Sequence, residues 1–145
     1  MSQNKMYEKH QSSIGNVDAN IMMLVAYLGT GIIASCLSFI PFISIIALAV
    51  PIVILVMEKN SEYVKFHALQ ALILNLLSVI VSFFLTFIFL VVPFLGLIIS
   101  PIILIISLVI FAVEIFVIVK SWKYTSYKFP LVGDFAERFV GKFQK

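Results

Sequence analysis

Charged positions divide the chain into two long apolar runs. No Asp, Glu, Lys or Arg occurs from Ala19 to Met57 or from Phe66 to Val113. One membrane-spanning helix needs roughly 20 apolar residues, because it rises about 1.5 Å per residue across a hydrocarbon core of ~30 Å. Each run therefore predicts two spans, with turns near Pro41 and Pro93. The four predicted spans cover about residues 20–40, 42–57, 68–92 and 97–121.

The second predicted span is the shortest, and Pro51 predicts a kink in it. A re-entrant segment is the alternative interpretation. The first span is not interpreted as a secretory signal, because Glu8 and Asp18 precede it and a signal begins with a short basic region. The motif "IASC" ending at Cys36 resembles a lipoprotein cleavage box, but the apolar stretch "LSFIPF" follows it. Cys36 is therefore predicted to be a small packed thiol.

The predicted fold class is all-α. Residues 19–122 are predicted to form an integral membrane four-helix bundle of two helical hairpins, which a cytoplasmic loop at 58–67 connects. Residues 1–18 show no helical or strand period and are predicted to be a disordered cytoplasmic leader. Residues 123–145 are predicted to be a cytoplasmic tail with an amphipathic helix at about 134–144.

The pattern of the tail predicts a helix on the inner membrane surface. Asp134 and Glu137 resemble a capping box, and three phenylalanines follow at intervals of four residues. Insertion of the apolar face and attraction to anionic lipid favour this location. Packing against the bundle or against a partner is the alternative. The predicted membrane-interface residues are Trp122, Lys123, Tyr124, Phe135, Arg138, Phe139, Lys142 and Phe143.

The composition agrees with lipid as the solvent for most of the chain. Of 145 residues, 62% are hydrophobic and 12% are charged, whereas a soluble domain has about 25% charged residues. All Lys and Arg residues lie in the leader, in the central loop or from Lys120 onward. With four spans these segments share one side, which the positive-inside rule makes the cytoplasm. We therefore predict a multi-pass plasma-membrane protein with both termini cytoplasmic.

The third predicted span carries a polar stripe at helical spacing. His67, Gln70, Asn75 and Ser78 lie on one side of the helix, and Leu, Ile, Val and Phe occupy the opposite side. Polar side chains between membrane helices bond across the interface, so the stripe is expected to face the bundle. Hydrogen bonding between helices is the favoured interpretation, and a solute or proton path along the stripe is the alternative.

Glu114 is the one acidic residue inside a predicted span. It lies six residues before Lys120, which places it about 9 Å into the membrane in a helix. An ionisable residue at such a depth is a functional hypothesis, with a partner to be named. Gln70 and Asn75 lie at a similar depth, and His67 and Lys120 lie nearer the surface. A tie between two helices is favoured over proton coupling or ion binding.

The sequence offers no catalytic constellation. It contains one Cys, two distant His, and no HExxH, G-x-S-x-G or glycine-rich phosphate motif. Metal binding by His10 and His67 is not expected, because His10 lies in the leader. We therefore predict no enzymatic activity, no cofactor, no metal and no nucleic-acid partner. The expected partners are the bilayer, anionic lipid at the cytoplasmic face, and a second copy or another membrane protein.

Two motifs lie on either side of the last two predicted spans. The first is "EYVKFHALQAL", and the second is "YKFPLVGDFAERF". Together they resemble the DUF4870, or Tic20-like, family of small polytopic membrane proteins. The matching residues are Tyr63, Val64, Phe66, His67, Ala68, Gln70, Ala71, Leu72, Tyr127, Pro130, Leu131, Gly133 and Asp134. The resemblance implies a helical membrane fold without established catalytic residues. Its plastid relatives are implicated in protein import, and other relatives lie in magnetosome membranes. The chain shows no long plastid transit peptide, which favours a bacterial or archaeal relative.

Two functions are compatible with these features. The first is a non-catalytic assembly, scaffolding or translocation-accessory protein that recognises partners or lipid in the membrane and on its cytoplasmic face. The alternative is a small oligomeric channel or transporter, in which Glu114 and the stripe of His67, Gln70 and Asn75 line the path. The first is favoured, because one acid among few polar groups is little machinery for transport.

Overall fold

The computed structural model is all-helical and describes residues 4–36, 44–130 and 132–141. Its helices are α1 (Ala19–Cys36), α2 (Ser44–Ala47), α3 (Ala49–Met57), α4 (Glu62–Val91), α5 (Pro93–Ser121) and α6 (Val132–Val140). Within these ranges no strand forms, and the only β-type pairings are isolated bridges. The all-α prediction is confirmed.

Helix α4 is the centre of the fold and contacts α1, α3, α5 and α6. Two helices of the described ranges are long and apolar enough to cross a membrane, over Glu62–Val81 of α4 and over Pro93–Ser121 of α5. Helix α1 supplies a shorter apolar segment, Ala19–Thr30. Length and composition thus support two spans directly, and the four-span bundle remains a prediction.

The second predicted span contains two short helices. Helix α2 ends at Ala47 and α3 begins at Ala49, so the interruption lies at Leu48 and not at Pro51. Pro51 is the third residue of α3, where a missing N–H leaves no hydrogen bond of the helix unmade. The kink predicted at Pro51 is therefore misplaced. The turn predicted at Pro41 lies outside the described residues.

Helices α4 and α5 form a hairpin that a single residue connects. Val92 separates them, and Pro93 is the first residue of α5, where its fixed φ suits a helix start. The fourth helix therefore begins four residues before the predicted 97. At the hairpin, a Cβ on Gly96 would clash with the Phe89 ring and would lie 2.8 Å from the Phe89 Cα. Glycine allows the two helices to approach this closely.

Gly96→Ala is expected to lower the free energy of unfolding by about 1 kcal/mol. Overpacking against a backbone atom costs about 1–3 kcal/mol, and the better helix propensity of alanine offsets part of it. The measurement is unfolding by SDS titration in mixed micelles. Gly141→Ala is the matched control, because its Cβ would meet the nearest atom at 3.6 Å. Equal losses in both variants would contradict the close approach of α4 and α5.

Proline at position 101 lies inside α5 and removes one backbone hydrogen bond. The carbonyl oxygen that it leaves unpaired belongs to Leu97, four residues earlier. The Ser100 hydroxyl donates to this oxygen at 3.0 Å. A membrane offers no water to such a carbonyl, so a neighbouring hydroxyl is the expected substitute. Helix α5 therefore tolerates Pro101 without an unpaired acceptor.

Buried and exposed apolar residues lie at opposite ends of the molecule. The buried core joins the first half of α1, the first half of α4 and the end of α5, with Met23, Tyr27, Tyr63, Val64 and Val117 among its members. The second half of α4 and most of α5 expose large apolar side chains, from Leu76 to Val119. A helix that is apolar on all sides requires lipid or a partner around it.

The leader differs from the predicted disorder, because residues 4–18 pack on the buried end of the helices. The Tyr7 N–H donates to the Tyr124 carbonyl at 2.9 Å, and the Ser126 N–H donates to the Lys5 carbonyl at 2.8 Å. Met6 and Thr125 form an antiparallel bridge. These bonds join residues distant in sequence, which a local pattern does not reveal.

Helix α6 is shorter than the predicted 134–144 and uses two faces. Ala136 and Val140 are buried against Phe66 and Leu69 of α4, whereas Phe135, Arg138 and Phe139 are exposed. One face therefore packs on the bundle, and the other is available to the membrane surface. Lys142 and Phe143 lie outside the described residues.

Candidate functional site

Three buried polar side chains meet between α1 and α4. His67 and Gln70 are three residues apart and so share one face of α4, and Tyr27 of α1 lies against both. All three are 0% exposed. The Tyr27 hydroxyl lies 3.2 Å from His67 Nδ1, and Gln70 Nε2 donates to the same hydroxyl at 3.2 Å. Gln70 Nε2 also lies 3.4 Å from the Tyr127 carbonyl.

These bonds assign the protons of the network. The Tyr27 oxygen accepts from Gln70, so its own O–H is free to donate to His67 Nδ1. His67 is then the tautomer with its proton on Nε2. This Nε2 has no hydrogen-bond partner within the described ranges, although the Thr125 backbone interacts with the ring. The network thus ends in a donor that points toward the tail segment.

Two further buried polar atoms, one on the stripe and one on α5, have no partner among the described residues. They are Gln70 Oε1 and one carboxyl oxygen of Glu114. A buried polar atom without a partner costs about 1–3 kcal/mol, and ordered water usually satisfies such atoms. Together with His67 Nε2, they mark where water or another polar group would bind.

The inner part of the stripe bonds mainly to its own helix. Asn75 Nδ2 donates to the Ala71 carbonyl at 2.8 Å, and the Ser78 hydroxyl donates to the Leu74 carbonyl at 3.4 Å. Glu114 is buried and interacts with the Asn75 side chain. Of the partners considered for Glu114, the structure brings Asn75 to it. The predicted residues therefore form an outer network at Tyr27 and an inner pair.

An aromatic cluster covers the outer network on the side of the leader. The Tyr63 ring lies edge-on to the His67 ring, with 4.6 Å between the ring centroids. The rings of Tyr7, His10 and Tyr124 join the same cluster, with centroids 5.6–6.3 Å from those of neighbouring rings. Tyr124 has a φ of 59° and is 9% exposed. A bulky residue adopts this conformation only where its surroundings hold it. Of the residues predicted to lie at the membrane interface, Tyr124 is thus buried in this cluster, whereas Trp122 and Lys123 are exposed.

Glu58 fastens the leader to the loop between α3 and α4. Its carboxylate accepts hydrogen bonds from the Ser12 hydroxyl, from the Ser13 hydroxyl at 2.7 Å and from the Ser13 N–H at 3.1 Å. The N–H groups of Asn60 and Ser61 donate to it at 3.1 and 2.9 Å. We call this set of bonds the Glu58 clasp. It holds a carboxylate that is only 2% exposed.

The clasp stabilises the ionised form of Glu58. Burial alone raises the pKa of this carboxyl group, but hydrogen bonds from Ser12, the Ser61 backbone and Ser13 outweigh it and lower the pKa to about 2. Two neighbouring contacts reinforce the attachment of the leader. Lys5 forms an ion pair with Glu62, and His10 Nε2 lies 2.6 Å from the Ser61 hydroxyl.

Sequence reasoning missed two residues that organise this region. Tyr27 carries a hydroxyl inside an apolar run, and a buried tyrosine hydroxyl usually requires a partner, which is a usable signal. Glu58 stands at the end of an apolar run beside "KNS", which is typical of a loop and gives no sign of burial. Ser61 is the N-cap of α4 and accepts from the Val64 N–H at 3.1 Å.

Two cavities that described residues line lie at the leader end of the molecule. One of about 30 Å³ is lined by Lys5, Tyr7, Glu62, Phe66, Ser126, Lys128, Glu137 and Val140. Another of about 500 Å³ is lined by Leu55, Val56, Glu58, Lys59, Lys65 and Val140. Neither contains Gln70 or Glu114. Among the described residues, no three His, Cys, Asp or Glu side chains could hold a metal ion together.

A comparison with protein families gives one match. A family model described as the magnetosome magnetite crystal formation protein family (MamF/MmsF) matches residues 18–136. No curated protein and no solved structure matches the chain. This match overturns the assignment to the DUF4870, or Tic20-like, family. Both motifs that suggested that assignment lie inside the matched residues.

Proposed function

Since the chain belongs to the magnetosome magnetite crystal formation protein family, we propose that it is a non-catalytic membrane protein of assembly or scaffolding type. In this role it holds partners or lipid within the membrane and at one basic, cytoplasmic face. The proposal includes a multi-pass topology with both termini cytoplasmic, in the plasma membrane or an internal membrane of a bacterial or archaeal cell.

The observation that carries this proposal is the buried polar contact between α1 and α4. The Tyr27 hydroxyl bonds to both His67 and Gln70, and Asn75 and Ser78 bond to their own helix. Side chains used in this way tie helices together. What remains available to other molecules is apolar surface on α4 and α5, exposed basic side chains and one face of α6.

Contacts between distant segments support the proposed topology. The leader bonds both to the loop after α3 and to the segment after α5, for example through Ser13 to Glu58 and Tyr7 to Tyr124. Segments that touch lie on the same side of a membrane. The opposite tip of the α4–α5 hairpin, residues 91–95, is apolar.

A small oligomeric channel is the second candidate, and the unpartnered atoms favour it. His67 Nε2, Gln70 Oε1 and one oxygen of Glu114 are buried without partners among the described residues. In an oligomer or a second conformation, water along these atoms would form a path. Glu114 would then be needed for flux, because it is the acid of the pair with Asn75.

Glu114→Gln separates the two candidates. A scaffold is expected to keep its stability within about 1 kcal/mol, because glutamine preserves the shape and can still bond to Asn75. Its cross-linked partners in native membranes, identified by mass spectrometry, are expected to remain unchanged. A channel is expected to lose or alter proton or ion flux in proteoliposomes.

The matched control is Gln70→Glu, which places a carboxyl in the network of Tyr27, His67 and Gln70. It is expected to disturb the packing whether the protein is a scaffold or a channel. Wild-type proteoliposomes that conduct, with conduction abolished by Glu114→Gln, would reject the scaffold proposal. A reproducible cross-linked partner that the wild type and Glu114→Gln both retain, with no flux through either protein, would reject the channel.

A further inference from the structure

The groove of about 500 Å³ between α3, the start of α4 and α6 is lined by both apolar and basic side chains. Leu55 and Val56 of α3 and Val140 of α6 supply the apolar lining, and Lys59 and Lys65, here called the rim lysines, supply the charge. Its volume falls within the roughly 300–1,000 Å³ typical of small-molecule sites. An amphipathic ligand is the kind of molecule that such a lining suits.

The two lysines lie side by side without an acidic partner. Lys65 Nζ donates to the Lys59 carbonyl oxygen at 3.1 Å, which holds the Lys65 ammonium over the loop. The salt bridges of the described residues involve Lys5, Lys9 and Lys128, and neither rim lysine. Two neighbouring cations without a counter-ion attract an anion to the rim.

The remaining charged residue of the lining offsets one of these two positive charges. Glu58 lines the groove as a carboxylate, and the leader and the loop donate hydrogen bonds to both of its oxygens. The two lysines and one glutamate of the lining therefore leave a net charge of +1. Because the Glu58 clasp already uses the carboxylate oxygens, the lysine ammonium groups are the charges of the lining that can bind an anion.

The surroundings place the groove at the level of lipid headgroups. Val56 and Met57 at the end of α3 are 75% and 55% exposed, and the charged loop follows them at once. On α6 the rings of Phe135 and Phe139 lie 4.7 Å apart and are exposed beside Arg138. Apolar surface that ends in basic side chains is typical of the cytoplasmic membrane boundary.

We propose that this groove is a binding site for one anionic phospholipid, with an acyl chain on Leu55, Val56 and Val140 and the phosphate at Lys59 and Lys65. The inference rests on the proposed membrane placement and adds a specific ligand to it. It gives α6 a second role, because Val140 then closes the site as well as packing on α4.

The test measures lipid binding to the full chain, purified in neutral detergent, by native mass spectrometry. Phosphatidylglycerol is expected to be retained at least about fivefold better than phosphatidylcholine with the same acyl chains, because the rim lysines attract its net charge. Lys59→Gln/Lys65→Gln is expected to lower phosphatidylglycerol binding about thirtyfold, which corresponds to about 2 kcal/mol for two lysines at a membrane surface.

Lys120→Gln/Lys123→Gln is the matched control, since it removes the same charge at the end of α5. It is expected to change binding less than about twofold. Lys59→Gln alone leaves the Lys65 hydrogen bond to the backbone intact, so a loss in this variant at unchanged thermal stability excludes misfolding as the cause.

Three outcomes would overturn the site. They are equal losses in the two lysine pairs, equal retention of both lipids, and displacement of the lipid by inorganic phosphate at the same concentration, which would indicate a free-anion site. The readout uses purified protein without partners. A failure here therefore leaves the cross-linking result, and with it the proposed function, independently testable.

Discussion

Glu58→Ala is expected to release the leader and to lower the free energy of unfolding by about 3 kcal/mol. Hydrogen bonds to a charged group contribute about 1.5–3 kcal/mol each, and the alanine would leave hydroxyl and N–H donors of Ser12, Ser13 and Ser61 without their acceptor. Limited trypsin digestion is the measurement, because cleavage after Lys9 requires the leader to leave the bundle. A marked increase in the rate of this cleavage is expected.

Glu8→Ala is the control, since it makes the same change at an exposed position of the leader. It is expected to alter neither the cleavage rate nor the unfolding free energy by more than about 0.5 kcal/mol. If Glu8→Ala and Glu58→Ala were cleaved equally fast, the leader would not depend on the clasp.

Acid is expected to act on the same bonds. The folded state lowers the pKa of Glu58 from about 4.5 to about 2, so its contribution is complete above pH 4.5 and is lost as the pH falls toward 2. The free energy of unfolding therefore falls as the pH is lowered through this range. Unfolding measured between pH 2 and pH 6 is expected to show this slope in the wild type and to lack it in Glu58→Gln.

Tyr27→Phe is expected to lower the free energy of unfolding by about 3 kcal/mol. The variant preserves the ring but removes the hydroxyl that bonds to both His67 and Gln70. It thereby leaves two fully buried polar atoms without this partner, at about 1–3 kcal/mol each. SDS titration in mixed micelles measures the loss.

A second substitution distinguishes the network from simple packing. In a Gln70→Leu background the cost of Tyr27→Phe is expected to fall by about 1 kcal/mol, because one of the unpaired atoms is then absent. Tyr127→Phe is the control, since its ring is only partly buried. Strictly additive losses in the double variant would show that the hydroxyl does not couple the two helices.

The sequence predicts the long helices well because their signal is local. The end of α4 at Val91 lies within one residue of the prediction, since Pro93 marks the boundary. The start at Glu62 precedes the predicted apolar span, because Ser61 caps the helix in a polar stretch where hydropathy gives no signal. Spacing also places His67 and Gln70 on one buried face.

The partners of these side chains were not predictable in the same way. Periodicity tells which side of a helix is buried, but not which residue of another helix faces it, so Tyr27 was not identified as the centre of the network. The order of the leader depends on Glu58 and Tyr124, which are distant in sequence. Two short motifs also led to the wrong family, and a match over residues 18–136 corrected it.

The bridge between Met6 and Thr125 has a consequence for the order of biogenesis. The ribosome completes Thr125 only after the residues of α1 to α5, so this bridge and the Tyr7 bond to Tyr124 cannot form while those helices are being synthesised. The Glu58 clasp has no such restriction, because Glu58 and Ser61 precede α4 and α5 in the chain. The leader can therefore attach in two stages, first at Ser13 and last at Met6, and only the second stage waits for the segment after α5.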